Sequence, residues 1–346
     1  MIWRWGGRAK DPRSEDEIKE FQMSANPQPA AGLAAAALRV TAKEVVSECV
    51  VALTLRHPDN DRLPDWAPGA HIDLVLPSGD TRQYSLCGDR WDAYSYRIGV
   101  LREPNGRGGS AFIHDSLAVG DMVRVGGPRN NFPLVPAPKY LFIAGGIGIT
   151  PMIPMIAQAE LMGIDWQLLY GGRTRSSMAF LGELARYGDR VTVAPQDECG
   201  LLELSTWLTA ASAAATKVYV CGPEPLLNAA EMCCADWQVG MLRTERFVPK
   251  TQGTPVRDEP FDVELARSGL IMTVTPDISV LDAVQRAGVN VLSSCGEGTC
   301  GTCETAVLSG APDHRDSILD DDERSAGECM LICVSRSCSD RLVLDL

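Results

Sequence analysis

Hydrophobic and polar positions alternate in short runs over the first part of the chain, and the pattern then changes twice. Between residues 38 and 137, β-like runs recur at Leu38–Val46, Val50–Arg56, His71–Val75, Thr81–Leu86, Tyr96–Leu101 and Met122–Gly126. Turn pairs such as Pro68-Gly69 and Ser78-Gly79 separate them, which predicts a small antiparallel β-barrel. From 138 to 248 the runs become more continuously apolar (Tyr140–Ala144, Asp165–Tyr170, Arg190–Ala194, Lys217–Cys221), with helical stretches between. Strands alternating with helices predict βαβ units and a parallel sheet covered on both faces. Residues 249–260 (PKTQGTPVRDEP) are polar and punctuated by proline, as a linker is. Strands at Phe261–Ala266 and Ile271–Val274 and a helix at Val280–Ala287 open a last domain, 261–346. Residues 1–37 read as a tail, in which Ser14 and Glu17 have capping-box spacing for one short helix.

Length agrees with this division, because 346 residues exceed one ordinary core. A chain 45% hydrophobic and 22% charged is globular, not disordered or collagenous. The net charge of −13 disfavours nucleic acid or an anionic membrane as main partner. That charge is uneven: from Asp258 onward there are 17 acidic residues against 6 arginines and no lysine. An acidic module suits docking on a basic partner surface, and it also suits plain solubility.

The 12 cysteines are expected to be reduced, since acidic Asp11–Glu20 stands where a secretory leader would be apolar. The expected compartment is the cytoplasm. Tyr140–Ala157 is uncharged for 18 residues, but Gly145, Gly146, Gly148, Pro151 and Pro154 within it predict a strand, a turn and a helix start, not a membrane span.

Cys295, Cys300 and Cys303 follow the spacing C-x4-C-x2-C, and Cys333 lies 30 positions further on. This is the ligand spacing of a plant-type [2Fe–2S] cluster. Three thiolates must converge from one short loop, and Gly296, Gly298 and Gly301 let the backbone curl around them. Zinc is the rival reading, but it favours paired C-x2-C units, and only Cys300/Cys303 form one. Cys329 and Cys338 are expected to be packing residues. A cluster takes one electron at a time whereas a hydride donor delivers two, so a flavin site and a dinucleotide site are expected upstream.

Arg82-Gln83-Tyr84-Ser85-Leu86 supplies a guanidinium, an aromatic ring and a hydroxyl, with Arg82 and Tyr84 on one strand face and Ser85 on the other. An ordinary amphipathic strand has the same pattern. Gly108-Gly109-Ser110 precedes a helix predicted at Ala111–Leu117, where free N–H groups favour an anion. Gly145-Gly146-Ile147-Gly148-Ile149-Thr150-Pro151-Met152 lies between a strand and a helix, and its glycines allow close approach to a pyrophosphate. It is not the G-x-G-x-x-G fingerprint, and a plain βα turn is its rival reading. Cys221-Gly222-Pro223 ends a parallel strand at the edge where ligands bind, although a buried cysteine before a turn looks alike.

Taken in order, RQYSL, GGS, GGIGITPM, YGGRTRSSMAF, VYVCGP, RTERF, SSCGEGTCGTCE and MLICVSRS resemble the phthalate dioxygenase reductase family over residues 38–346. The resemblance implies a flavin-binding barrel at 38–137, an NAD-binding α/β domain at 138–248 and a β-grasp plant-type ferredoxin domain at 261–346. It implies FMN held by Arg82, Tyr84, Ser85, Gly109 and Ser110, with Ile98, Gly99 and Val100 lining the ring. It places the nicotinamide cofactor against Gly146, Thr150, Arg173, Phe180, Cys221 and Pro223, with Phe247 covering the flavin. Ser85, Cys221 and Phe247 are the residues expected at the reacting atoms. It further implies that Cys295 and Cys300 bind one iron, and Cys303 and Cys333 the other. NADH is implied over NADPH, although Arg173 and Arg175 also suit a 2′-phosphate. The implied activity is electron transfer from NADH through FMN and the cluster to a terminal oxygenase, of the Rieske non-haem iron type, in aromatic degradation, by a monomer. Service to a cytochrome P450, or a redox-sensing role without turnover, are the other readings.

Overall fold

The computed structural model describes residues 36–346 other than Asn105, Ala214 and Ala215, so the helix expected near Ser14–Glu17 lies outside the described residues. Strands β1 (Ala36–Ser47), β2 (Val50–Arg56), β3 (His71–Val75), β4 (Thr81–Ser85), β5 (Ser95–Leu101) and β6 (Met122–Arg129) form one antiparallel sheet. Their order is β4-β3-β6-β1-β2-β5. A bridge between Leu86 and Ile98 brings the two ends of the sheet together, so it curls around Leu53, Leu55, Ile72, Leu74, Ile98 and Val100. Helix α1 spans Gly109–Asp115, two residues earlier than its pattern suggests, because Gly108 at φ 82 makes the turn into it.

The second sheet is parallel throughout: β7 (Lys139–Gly145), β8 (Asp165–Gly172), β9 (Val191–Pro195), β10 (Lys217–Cys221) and β11 (Leu242–Glu245), in the order β11-β10-β7-β8-β9. Helices α2 (Ile149–Met162), α3 (Leu204–Ala213) and α4 (Glu224–Cys233) lie between its strands in sequence. The uncharged run from Tyr140 resolves into β7, a 3-10 turn at Gly146–Gly148 and the start of α2. No helix among the described residues is long and apolar enough to cross a membrane. Strand β11 has no apolar signature, since Leu-Arg-Thr-Glu is half-buried at a sheet edge.

The third sheet joins β12 (Phe261–Leu265), β13 (Leu270–Val274), β14 (Glu304–Ser309), β16 (Cys329–Leu331) and β18 (Arg341–Leu344) in the order β13-β12-β18-β14-β16. A short pair, β15 (Pro312–Asp313) with β17 (Arg336–Ser337), lies beside it. The parallel β12–β18 pair, flanked by antiparallel partners and covered by α5 (Val280–Arg286), is the β-grasp arrangement. Ser279 and Asp282 cap α5 reciprocally.

The cores are not divided as the strands are. One apolar cluster joins Val50, Ala52, Cys87 and Phe132 of the barrel to Tyr140, Phe142, Met152, Phe180 and Tyr219 of the parallel α/β layer. The β-grasp core draws only on residues beyond 260.

Candidate functional site

Four sulfurs meet in the β-grasp domain. Cys300, Cys303 and Cys333 are buried and Cys295 is half-buried, and none of them is in a disulfide. Contact with Cys300 and Cys333 pulls the Cys295 thiol well below its ordinary value, and contact with Cys333 lowers Cys303. Backbone N–H groups of Glu297 and Thr299 donate to Cys295 Sγ at 3.3 and 3.5 Å, and that of Thr302 to Cys300 Sγ at 3.4 Å. Such donors favour thiolates carrying negative charge. Gly298 has φ +71, and a Cβ there would lie 2.6 Å from Val334 Cγ2, so the loop closes only with glycine. The donor set and its cradle fit a [2Fe–2S] cluster.

A cleft open to solvent lies beside this loop. Its walls come from three places: Thr81 to Ser85 with His71 and Arg107, Glu245 to Phe247, and Cys295, Glu297 and Thr299. Arg82, Tyr84 and Ser85 all reach it, whereas strict alternation would send Ser85 away from the other two. Strand β4 ends the sheet's order, and the cleft runs along that edge, within reach of both faces. Three buried polar atoms of cleft-wall residues make no hydrogen bond: Arg82 Nη2, which has Asp80 Oδ2 only at 3.6 Å, Ser85 Oγ and His71 Nε2. Burial raises the Tyr84 phenol to about 12, and burial assisted by Arg129 lowers the His71 imidazole to about 4. Gly109 lies against the Arg82 side chain, since a Cβ there would be 3.1 Å from Arg82 Nε. A cation, unfilled donors and an aromatic ring along one open cleft fit a phosphorylated flavin.

Not every expected flavin residue lies on this cleft. Ser110 Oγ instead accepts the Glu103 N–H at 3.0 Å. Ile98 and Val100 point into the barrel core. Gly99 faces the α/β domain, where a Cβ would stand 2.8 Å from Thr150 Cγ2 and 3.2 Å from Phe180. Gly99 therefore marks where the barrel meets the expected nicotinamide residues.

Of those residues, Thr150 and Phe180 meet at Gly99, while Cys221 and Pro223 meet the turn after β7. A Cβ on Gly148 would lie 2.2 Å from the Cys221 carbonyl oxygen, and one on Gly145 2.7 Å from Pro223 Cδ. The turn after β7 thus rests on the turn after β10. Gly146 has φ +55 and an open flank, and Thr150 Oγ1 donates to Ile147 O at 2.9 Å. Phe180 is buried at φ 63, a left-handed conformation costly for a non-glycine residue. Arg97 sits 5.2 Å over its ring and pairs with Glu183 at 2.7 Å, which holds the strained residue in place. The Cys221 thiol is fully buried and donates to Glu245 Oε2 at 3.9 Å. Burial pushes that thiol well above its ordinary value and the Glu245 carboxyl up to about 8. Arg173 is exposed. Arg175 makes a bidentate pair with Glu198 at 2.6 and 3.0 Å, so its guanidinium is committed to a carboxylate.

His71, Arg107, Glu245, Arg246 and Glu297 also wall the cleft and are not among the residues expected from the motifs. Two signals were available. RTERF carries Glu245 and Arg246 directly before Phe247, and His71 and Asp73 repeat at a spacing of two within an otherwise apolar strand.

Comparison with known proteins agrees with this geometry. Residues 263–338 match the family of 2Fe-2S iron-sulfur cluster binding domains. The chain is 45% identical to phenoxybenzoate dioxygenase subunit beta of Ectopseudomonas oleovorans, over 92% of this chain and 99% of that one. It is 38% identical to phthalate dioxygenase reductase of Burkholderia cepacia, over 89% of this chain and 97% of that one. Among solved structures, a phthalate dioxygenase reductase described as transferring electrons from pyridine nucleotides to [2Fe-2S] matches with a TM-score of 0.66 at 35% identity, covering 90% of this chain and 98% of that one. An intact type IV self-sufficient cytochrome P450 monooxygenase matches with a TM-score of 0.88 at 41% identity, covering 96% of this chain. This chain spans only 44% of that P450. With its cysteine cage, the open cleft beside it and paired glycine turns in one chain, the protein belongs to the phthalate dioxygenase reductase family, iron–sulfur flavoprotein oxidoreductases that use NADH, FMN and a [2Fe–2S] cluster.

Proposed function

We propose that this chain reduces a Rieske-type non-haem iron oxygenase, drawing electrons from NADH and passing them out through its C-terminal domain. One observation carries the reading: a single cleft is walled by the barrel strand β4, by Phe247 after the last parallel strand, and by the cluster ligand Cys295. When bound there, the flavin takes a hydride's two electrons from the nicotinamide and yields them singly to the cluster.

The residues divide the remaining work. Arg82, with the backbone at Gly109, would bind the FMN phosphate, and Tyr84 and Ser85 would orient the ring. Ser110 would act through the loop at Glu103, and Ile98 and Val100, in the barrel core, would hold the strand whose Gly99 meets Thr150 and Phe180. Gly146, Thr150, Arg173, Phe180 and Pro223 would hold the dinucleotide, with Cys221 bringing the nicotinamide toward the cleft. Phe247, 42% exposed, would shield the ring from water and swing aside for nicotinamide. The Glu245 carboxyl keeps its proton near neutrality, so no buried anion opposes an electron-rich ring. Cys295, Cys300, Cys303 and Cys333 would ligate the irons.

Relatives named as dioxygenase and monooxygenase reductase subunits support an oxygenase partner. The likeness to a self-sufficient P450 favours one second reading, a haem acceptor. The acidic C-terminal domain would dock either on a basic surface, and the proposed protein is a cytoplasmic monomer. Reconstitution decides between them. With a Rieske oxygenase, NADH consumption should be coupled to product, whereas with a P450 it should not. Coupling to the P450 alone would overturn the proposal.

A further inference from the structure

Strand β3 is buried on both faces, which is unusual for an antiparallel sheet with one core. Ile72 and Leu74 face the barrel interior. His71 and Asp73 face the other way and are still only 6% and 3% exposed. Part of that cover comes from the cluster loop. Asp73 Oδ2 accepts the Ser294 hydroxyl at 3.0 Å, across 221 positions of sequence. Its Oδ1 accepts Arg129 Nη2 at 2.7 Å and Gln83 Nε2 at 3.2 Å. A buried carboxylate is tolerated only when paired and fully hydrogen-bonded, and these three contacts meet that need.

The position of this group matters more than its stability. Ser294 directly precedes Cys295, the ligand that walls the flavin cleft. His71, two residues before Asp73 on the same strand face, walls the cleft too. One strand thus sets both the cleft and the anchor of the loop beside it. The neighbouring contacts are weaker anchors. Arg107 meets Glu297 at 2.8 Å, but their side chains are 64% and 36% exposed, so solvent screens the pair. At Gly301 the barrel comes close enough that an added Cβ would stand 3.2 Å from Asn131 Nδ2, an approach with no charge in it.

We infer that Asp73 is a positioning residue for internal electron transfer: through Ser294 it holds Cys295 against the flavin cleft and so fixes the distance an electron crosses. It touches neither the flavin cleft nor the cluster ligands, and it acts on the pose of the cluster loop. This inference rests on the electron route proposed above, and the test separates the two.

The test uses the holoprotein with Ser294→Ala, Ser294→Thr and Asp73→Asn. Ser294→Ala removes one hydroxyl and leaves the barrel intact, so folding does not confound it. Hydrogen–deuterium exchange of residues 290–303 is read first, and needs no turnover. Losing a hydrogen bond to a charged group should raise exchange in this loop about tenfold in Ser294→Ala and Asp73→Asn. Ser294→Thr, which keeps the hydroxyl, should match the unsubstituted protein. Anaerobic stopped-flow with NADH is read second. The flavin-bleaching phase should be unchanged and the following cluster-bleaching phase slowed about tenfold in the two weakened variants. Loop exchange and the second phase both within twofold of the parent would overturn the inference. Equal slowing of both phases would overturn it as well, since that marks general damage to the barrel. If NADH bleached no flavin in the parent, the electron route itself would be wrong, while the exchange result would still decide the anchor.

Discussion

The barrel meets its two neighbours in opposite ways. Toward the α/β domain it shares a core: Val50, Ala52, Cys87 and Phe132 pack with Phe142, Phe180 and Tyr219, and Phe132 stacks edge-on to Tyr219 at 5.3 Å. Toward the β-grasp domain the named contacts are polar or glycine-sized, at Asp73–Ser294, Arg107–Glu297 and Asn131–Gly301. Apolar burial is strong and insensitive to salt, whereas exposed pairs are weak and screened. On the proposed electron route, the hydride junction is therefore built as one body, and the single-electron junction as a docked module. The difference suits a protein whose last domain must also face an outside acceptor.

Breaking the cluster is the largest perturbation this division allows. Cys300→Ser should abolish the cluster's visible absorbance and all acceptor reduction, yet leave bleaching of the flavin by NADH intact. Loss of bleaching as well, seen in a rapid-mixing experiment, would mean the modules are not separable. Next in size is Phe132→Ala, which opens a hole in the shared core and should cost about 3–5 kcal/mol. Differential scanning calorimetry should show the barrel and α/β transition falling together, with the β-grasp transition unmoved. Arg82→Ala removes a charge-assisted contact to phosphate, expected to weaken FMN binding about tenfold to a hundredfold. Flavin retained at full stoichiometry after gel filtration at low micromolar concentration would speak against that contact.

A smaller effect concerns pH. Burial raises Glu245 from 4.5 to about 8, so between these values the folded chain holds a proton that the unfolded chain has released. Stability then falls as pH rises through that window, by up to about 1.4 kcal/mol per pH unit. Glu245→Gln should flatten this slope in melts between pH 5 and 8, and an unchanged slope would remove Glu245 as its source.

Much of this arrangement is legible in the sequence. Val50–Arg56, His71–Val75 and Lys217–Cys221 occur with the predicted limits because each is an apolar run between turn residues. The cluster ligands are legible because spacing alone brings three thiolates into one loop. The merged core is not, since an apolar residue such as Phe132 does not announce which domain it will enter. Nor are His71, Asp73 and Ser294, whose contact spans most of the chain and leaves only a polar repeat in one strand. That Ser85 shares a cleft with Arg82 and Tyr84 is not legible for a related reason: alternation describes a strand's faces but not what lies along its edge.

The order in which flavin and cluster are reduced decides whether electrons follow this route. Parent protein and flavin-depleted Arg82→Ala protein are mixed with NADH under anaerobic conditions, and flavin and cluster absorbance are followed separately. In the parent the flavin should bleach first and the cluster follow, while in the depleted protein the cluster should stay oxidised until FMN is added back. Cluster reduction at the parent rate without flavin would contradict it.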